Sequence, residues 1–170
     1  MTFLNFNMQT SALLGSTLLF GLLAGILFTW QNAVTPGIGR LDDLNYLKAF
    51  QHMNRTILNP LFYIVFVGPL VLSLSSIYVY RSNPNNVLWL LVVATVIYVL
   101  GVLLVTIMGN IPLNEMLDKT TLEDSTFEEV QTLRSKFEAP WNNYHVIRTI
   151  ASIGSFVLYI LACIIDNGQS

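Results

Sequence analysis

The sequence predicts an all-α integral membrane protein, a bundle of four transmembrane helices with additional helices in its two long connections. Of its 170 residues, 54% are hydrophobic and only 11% are charged, whereas about 25% are charged in an ordinary soluble domain. Four apolar runs each reach about 20 residues, the length at which a helix crosses the hydrocarbon core of a bilayer. These observations exclude a soluble globular domain, a disordered chain and a coiled coil.

The four predicted spans carry no charged residue in their central parts. They cover residues 11–30, 61–80, 87–109 and 146–165. Each must be helical, because the hydrocarbon offers no water to satisfy the backbone. The first run lacks Lys and Arg in its flank and is longer than the 7–15 apolar residues typical of a signal peptide, so we interpret it as a retained span. The whole chain, residues 1–170, is then a single membrane domain.

The two long connections each contain a predicted helix. The first covers residues 42–58, where Asp42 and Asp43 suit the positive end of the helix dipole. The second covers residues 125–138, opening on the capping-box pattern from Ser125 to Glu128 and ending before Pro140. By contrast, spans two and three are joined by a short loop, which indicates an antiparallel hairpin.

The charges are distributed unevenly between the two sides of this topology. The side with both termini carries one basic residue, Arg81, and the side with the long connections carries the other seven, namely Arg40, Lys48, Arg55, Lys119, Arg134, Lys136 and Arg148. Positively charged loops stay in the cytoplasm. We therefore expect a bacterial cytoplasmic membrane protein with cytoplasmic long connections and external termini.

Composition and motifs also exclude several classes of partner and cofactor. The net charge is −2 and the basic residues do not cluster, so nucleic acid is excluded as a partner. The single cysteine, Cys163, allows neither a disulfide within the chain nor a cysteine-based zinc site. His52, His145 and Glu115 lack the spacing of a metal site, and no haem-attachment motif is present. We expect no cofactor and no metal. The lipid bilayer is the expected partner, and the sequence is compatible with a homo-oligomer.

Polar residues concentrate in three stretches where the chain meets the predicted membrane on the side of the long connections. These are residues 50–60, 109–115 and 141–149. In the third stretch, Trp141, His145 and Arg148 are spaced i, i+4 and i+7, so they share one helix face. This spacing makes the third stretch the centre of the candidate site.

Each candidate residue has a functional and a structural interpretation. Arg148 is either a fixed cation that stabilises a developing oxyanion or a structural residue that snorkels or pairs with Glu115. His52 and His145 are either candidate bases or hydrogen-bonded structural histidines. The candidate catalytic residues are His52, Arg148 and Asn114, and the candidate substrate-binding residues are Trp141, Asn110, Asn54 and His145.

These stretches resemble the DUF1772 or anthrone oxygenase-like family of integral membrane proteins. The resemblance covers most of the chain, through residues 35–43, 49–62, 109–115 and 141–149. Its most specific elements are Asn-x-Pro-Leu-Asn at residues 110–114 and the segment from Trp141 to Thr149. The resemblance implies a four-span membrane protein with polar residues on one face. Some fungal members are associated with oxidation of anthrones, most bacterial relatives have no assigned activity, and the family often has Asn where this chain has His145.

The resemblance leaves three functions open. The first is a membrane protein of unassigned activity that binds a hydrophobic aromatic molecule at the cytoplasmic rim. The second is a cofactor-independent oxygenase that converts an anthrone-like substrate to a quinone, with His52 as base, Arg148 and Asn114 stabilising the enolate, and Trp141 as the stacking wall. The third is an accessory protein that binds another membrane protein. The enzyme hypothesis expects a pocket, and the accessory hypothesis expects Arg148 paired with Glu115.

Overall fold

A computed structural model of the chain describes residues 8–82 and 86–167, and this part is helical, without strands. It contains five helices and a short 3₁₀ turn, Leu122–Asp124. The helices are α1 (Met8–Ile38), α2 (Asp43–Ile57), α3 (Pro60–Tyr80), α4 (Asn86–Asp118) and α5 (Phe127–Asn167). Of these, α1, α3, α4 and α5 are long and apolar enough to cross a membrane. The predicted fold class is confirmed; residues 83–85 of the predicted hairpin loop lie outside the described residues.

The third span is longer than the sequence predicts. The predicted span ends at Gly109, whereas α4 continues to Asp118. Two wider π-helical segments, Val99–Leu104 and Thr106–Asn110, precede this extension. Pro112 is the second residue of the α-helical segment that follows them. Proline has no backbone N–H, so one helical hydrogen bond is missing at this point, while its fixed φ is compatible with the helix.

The second connection helix and the fourth span form one continuous helix. The prediction that a helix ends before Pro140 is wrong, because α5 runs through Pro140 without a break. Proline removes one backbone hydrogen bond, but its fixed φ is helical. On either side of Pro140 the rings of Phe137 and Trp141 stack, with centroids 6.4 Å apart. Side chains four residues apart on one helix stabilise it locally through such contacts.

Side chains cap the two helices of the connections. Asp42 caps α2 by accepting a hydrogen bond from the backbone N–H of Asn45 at 3.0 Å, which holds the pKa of Asp42 below its ordinary value. The capping box of α5 lies one residue later than predicted. The backbone N–H of Thr126 donates to Glu129 at 2.8 Å, and the backbone N–H of Glu129 donates to the hydroxyl of Thr126 at 3.4 Å.

Arg134 fastens the connection between α1 and α2 to α5. Its guanidinium donates to the carbonyl oxygens of Gly39 and Leu41, each at 2.8 Å, and to the carboxylates of Asp43 at 2.9 Å and Glu138 at 2.7 Å. Most of the Arg134 side chain is buried. A planar group with donors in several directions therefore joins three segments at one point.

The spans α4 and α5 approach each other closely. A Cβ built on Gly101 would lie 2.4 Å from Cβ of Ala151, and a Cβ built on Gly109 would lie 2.6 Å from the Tyr144 ring. Between these helices, the Ser155 hydroxyl donates to the Ala94 carbonyl at 2.9 Å. Small residues that allow such close contact are typical of packing between membrane helices.

We predict that Gly101→Ala destabilises the protein, because the new methyl group overlaps Ala151 on the neighbouring helix. Overpacking of this kind costs about 1–3 kcal/mol, and the melting temperature in detergent measures it. The matched control is Gly25→Ala, since no described heavy atom lies within 4 Å of the Cβ position at Gly25. Equal melting temperatures for the two variants would contradict the close approach of α4 and α5.

Candidate functional site

The residues Trp141, His145 and Arg148 form one buried face of α5, here called the Trp–His–Arg face. They are 4%, 1% and 7% exposed. The rings of Trp141 and His145 are nearly parallel, with centroids 4.9 Å apart. The Arg148 guanidinium lies 5.4 Å from the centroid of the Trp141 ring. Helical spacing brings the three side chains into register, and packing within the bundle removes them from solvent.

Two hydrogen bonds determine the protonation of His145. Its Nε2 lies 3.1 Å from the carbonyl oxygen of Leu27, and its Nδ1 lies 2.8 Å from Nη2 of Arg148. A carbonyl only accepts and a guanidinium only donates. The ring is therefore neutral, with its proton on Nε2. Because its lone pair is already engaged by Arg148, His145 holds Arg148 in place and is not free to act as a base.

Arg148 is a buried cation without a carboxylate partner. Its Nη1 donates to the Thr106 hydroxyl at 3.3 Å, and its Nε has no hydrogen-bond partner among the described residues. None of the ion pairs in the described part of the chain involves Arg148. The Arg148–Glu115 pair, which the accessory hypothesis expects, is absent from the described residues, because Glu115 is exposed and pairs with Lys119 at 3.0 Å. An unpaired buried charge is costly, which marks Arg148 as a candidate ligand-binding group.

The two asparagines of α4 hold Trp141. Nδ2 of Asn110 donates to the backbone carbonyl of Trp141 at 3.3 Å, and Oδ1 of Asn114 accepts from the Trp141 indole N–H at 2.7 Å. Asn110 is 1% exposed, and its Oδ1 has no partner within residues 8–82 and 86–167. Asn114 therefore positions the Trp141 ring, while Asn110 keeps one acceptor free.

The π-helical segments of α4 align its polar residues with α5. Val102, Thr106 and Asn110 are buried and spaced by four residues, and Asn114 follows at the same interval. In a regular α-helix, each four-residue step turns the side chain by roughly 40° beyond a full rotation. Wider π turns compensate for this drift. The four-residue spacing is the sequence signal for this alignment.

His52 and Asn54 lie on α2, outside the hydrogen bonds of the Trp–His–Arg face. The His52 side chain is exposed, and Asn54 is half-buried. The neighbouring Gln51 is buried instead, and its Nε2 donates to the carbonyl oxygens of Leu117 at 2.7 Å and Thr120 at 3.0 Å. Gln51 thus docks α2 onto the end of α4. Sequence reasoning missed Gln51, although it shares a helix face with the apolar Leu47 one turn earlier.

Aromatic residues extend the site towards α1 and α2. The Trp141 ring centroid lies 4.8 Å from that of Phe50 and 6.2 Å from that of Trp30. Trp30 also lines an open groove of about 460 Å³ along one face of α1, which extends from Gly21 to Val34. Nearby in this aromatic cluster, burial and the Glu138 carboxylate raise the pKa of the Tyr46 hydroxyl. Neither Trp141 nor Arg148 lines the groove.

The arrangement leaves two buried hydrogen-bonding groups without partners among the described residues, a guanidinium N–H donor and an amide oxygen acceptor. They lie beside an indole ring that already packs against His145, Phe50 and Phe137. Within the described residues, no group of three or more His, Cys, Asp and Glu side chains is placed to hold a metal ion. The chemistry available from these side chains is therefore hydrogen bonding, stacking and electrostatic stabilisation.

Comparison with known protein families identifies a match. A family model described as Anthrone oxygenase matches residues 61–158, more than half of the chain. No curated protein and no solved structure matches. The matched region contains the Trp–His–Arg face and its partners on α4, namely Thr106, Asn110 and Asn114. It leaves out α1 and α2, and with them Leu27, His52 and Asn54.

We predict that His145→Leu lowers stability by roughly 3 kcal/mol, because it removes the hydrogen bond to the Leu27 carbonyl and leaves one buried Arg148 N–H without its acceptor. His145→Gln costs less, since an amide offers a donor and an acceptor. Thermal melting in detergent measures both variants. His52→Leu is the control, with a change within about 0.5 kcal/mol for an exposed position. A larger loss in His52→Leu than in His145→Leu would contradict this description of the site.

Proposed function

Because the chain belongs to the anthrone oxygenase family, we propose that it binds a hydrophobic aromatic molecule against Trp141 and Arg148. The observation that carries the proposal is the burial of the Arg148 guanidinium without a carboxylate partner among the described residues. Such a group loses its hydration when the protein folds. A ligand oxygen that accepts a hydrogen bond from Nε–H would restore part of the lost interaction.

The position of the cation is fixed before a ligand arrives. His145 and Thr106 engage Nη2 and Nη1 of Arg148, so the remaining Nε–H has a defined direction. In a low-dielectric environment, a hydrogen bond from a charged donor is stronger than it is in water. This pre-organisation favours a ligand with an oxygen atom.

Trp141 provides the aromatic contact. Its indole N–H is held by Asn114 and its backbone carbonyl by Asn110, so the ring cannot easily rotate. Since the rings of His145, Phe50 and Phe137 already pack against Trp141, a flat aromatic ligand would pack beside this cluster of rings. The groove on α1 is lined in part by Trp30, whose ring centroid lies 6.2 Å from that of Trp141, so it offers such a molecule a route along the apolar surface towards this cluster.

A second candidate function, favoured by the family match, is a cofactor-independent oxygenase. Loss of a proton from the central CH₂ of anthrone gives an enolate, which transfers electrons to O₂. One oxygen atom becomes the second carbonyl of anthraquinone and the other leaves as water, so anthrone and O₂ give anthraquinone and water. Arg148 would stabilise the enolate oxygen. His52 stays the predicted base, because His145 already accepts from Arg148.

We predict that anthrone raises the melting temperature of the unaltered protein and that Arg148→Lys loses this shift. At 100 times the dissociation constant, a ligand stabilises the folded state by about 2.7 kcal/mol. Lysine keeps the charge but lacks the planar donors of arginine. Melting is measured in detergent under nitrogen, so that anthrone is not consumed, with Arg40→Lys as the control at an exposed position. Equal shifts in all three proteins would contradict a role for Arg148.

The same proteins, transferred to air, separate the two candidate functions. An oxygenase produces anthraquinone with matching O₂ uptake, faster than the protein-free background and faster than Arg148→Lys. A binding protein shows the melting shift without faster oxidation. Absence of both effects would leave the accessory function as the better hypothesis.

The orientation of the protein in the membrane is also a proposal. The excess of Lys and Arg in the connections between α1 and α3 and between α4 and α5 supports cytoplasmic connections and external termini in a bacterial cytoplasmic membrane. The Trp–His–Arg face then lies towards the cytoplasmic side. A ligand would reach it from the inner leaflet.

We predict that, in intact cells, a membrane-impermeant maleimide labels a cysteine introduced at Ser82 but not one introduced at Thr121. Both positions are exposed, so both label after lysis, and Cys163→Ser removes the native thiol. The reason is that Ser82 follows α3 on the external side, whereas Thr121 lies between α4 and α5. The reverse pattern would overturn the proposed orientation.

A further inference from the structure

We propose that the ligand presents a neutral hydroxyl group, such as that of a phenol, to two buried atoms of the site. The hydroxyl oxygen accepts a hydrogen bond from Nε of Arg148, and the hydroxyl proton is donated to Oδ1 of Asn110. This inference rests on the proposed function, since it specifies the chemistry of a ligand at the same site.

The two atoms are a complementary donor and acceptor. Neither Arg148 Nε nor Asn110 Oδ1 has a hydrogen-bond partner in the part of the chain that the structure describes. Arg148 is 7% exposed and Asn110 is 1% exposed. The identity of the free Asn110 atom follows from its other contact, because the Trp141 carbonyl can only accept and so must face Nδ2. Oδ1 is therefore the unpaired acceptor.

The two atoms belong to the same contact between α4 and α5. Arg148 donates to Thr106, which precedes Asn110 by one helical turn. Asn110 in turn donates to the backbone of Trp141, and the Arg148 guanidinium lies 5.4 Å from the Trp141 ring. Residues four apart on a helix are neighbours on its surface. One ligand group against Trp141 can therefore address both atoms.

The pairing selects among oxygen-containing ligands. A ketone or an ether satisfies Arg148 but leaves Asn110 Oδ1 without a donor in a dry place, which is unfavourable. A carboxylate brings negative charge towards the same amide oxygen. A hydroxyl group has one donor and two acceptor positions, so it satisfies both atoms at once.

The test compares 1-naphthol with its methyl ether, 1-methoxynaphthalene, on the full chain in detergent. The two probes share the aromatic surface and an acceptor oxygen, but only 1-naphthol donates. We expect 1-naphthol to bind about fivefold more tightly or better, the effect of one buried hydrogen bond. The third probe, 1-naphthoate, tests an anion and is expected to bind less tightly than 1-naphthol. Dissociation constants come from titration calorimetry.

Substitution of Asn110 tests whether this residue causes the preference for 1-naphthol over its methyl ether. In Asn110→Leu the preference for 1-naphthol over the ether disappears, whereas it persists in the control Asn143→Leu, at an exposed asparagine of α5. A preference that survives in Asn110→Leu would overturn the assignment. If Asn110→Leu does not fold, the two probes on the unaltered protein still decide whether a donated hydrogen bond matters.

The outcomes separate this inference from the proposed function. If none of the three probes binds, and anthrone gives no melting shift, the proposed function fails. If 1-naphthol and the ether bind equally, the aromatic site stands but the hydroxyl inference fails. If 1-naphthoate binds most tightly, the site prefers an anion and the hydroxyl inference is again overturned.

Discussion

The burial of one guanidinium group organises this end of the bundle. Arg148 sits on an apolar helix and must find acceptors inside the protein, because lipid offers none. It finds His145 on its own helix and Thr106 on α4. His145 then uses its other nitrogen for the Leu27 carbonyl of α1. Three spans are thereby held in register around a single positive charge, which no carboxylate in the described residues neutralises.

Close packing makes this register possible. Gly101 and Gly109 allow α4 to approach α5 to a distance at which side chains of the two helices hydrogen-bond directly. The π-helical segments then turn Thr106 and Asn110 towards the same neighbour. The site therefore depends on backbone geometry as much as on the polar residues themselves, and small changes at the glycines are expected to reach Arg148.

Helix periodicity explains which parts of the site were predictable. Trp141, His145 and Arg148 share a face because residues spaced i, i+4 and i+7 always do in a helix. The asparagines of α4 could be recognised as candidates, but not their roles. Asn114 accepts from Trp141 and Asn110 keeps a free oxygen, since each role depends on which atom of a distant helix lies opposite. The exposed position of His52, beside the buried Gln51, likewise follows from how α2 docks.

The sequence by itself determined the membrane class, the four spans and the polar face of α5, because hydrophobic length and helical spacing are local properties. Only the tertiary structure decided that helices run through Pro112 and Pro140, and that Arg148 has no carboxylate partner among the described residues. These outcomes depend on contacts between segments far apart in the chain. A local pattern names the residues that can interact, whereas packing in three dimensions decides which of them meet.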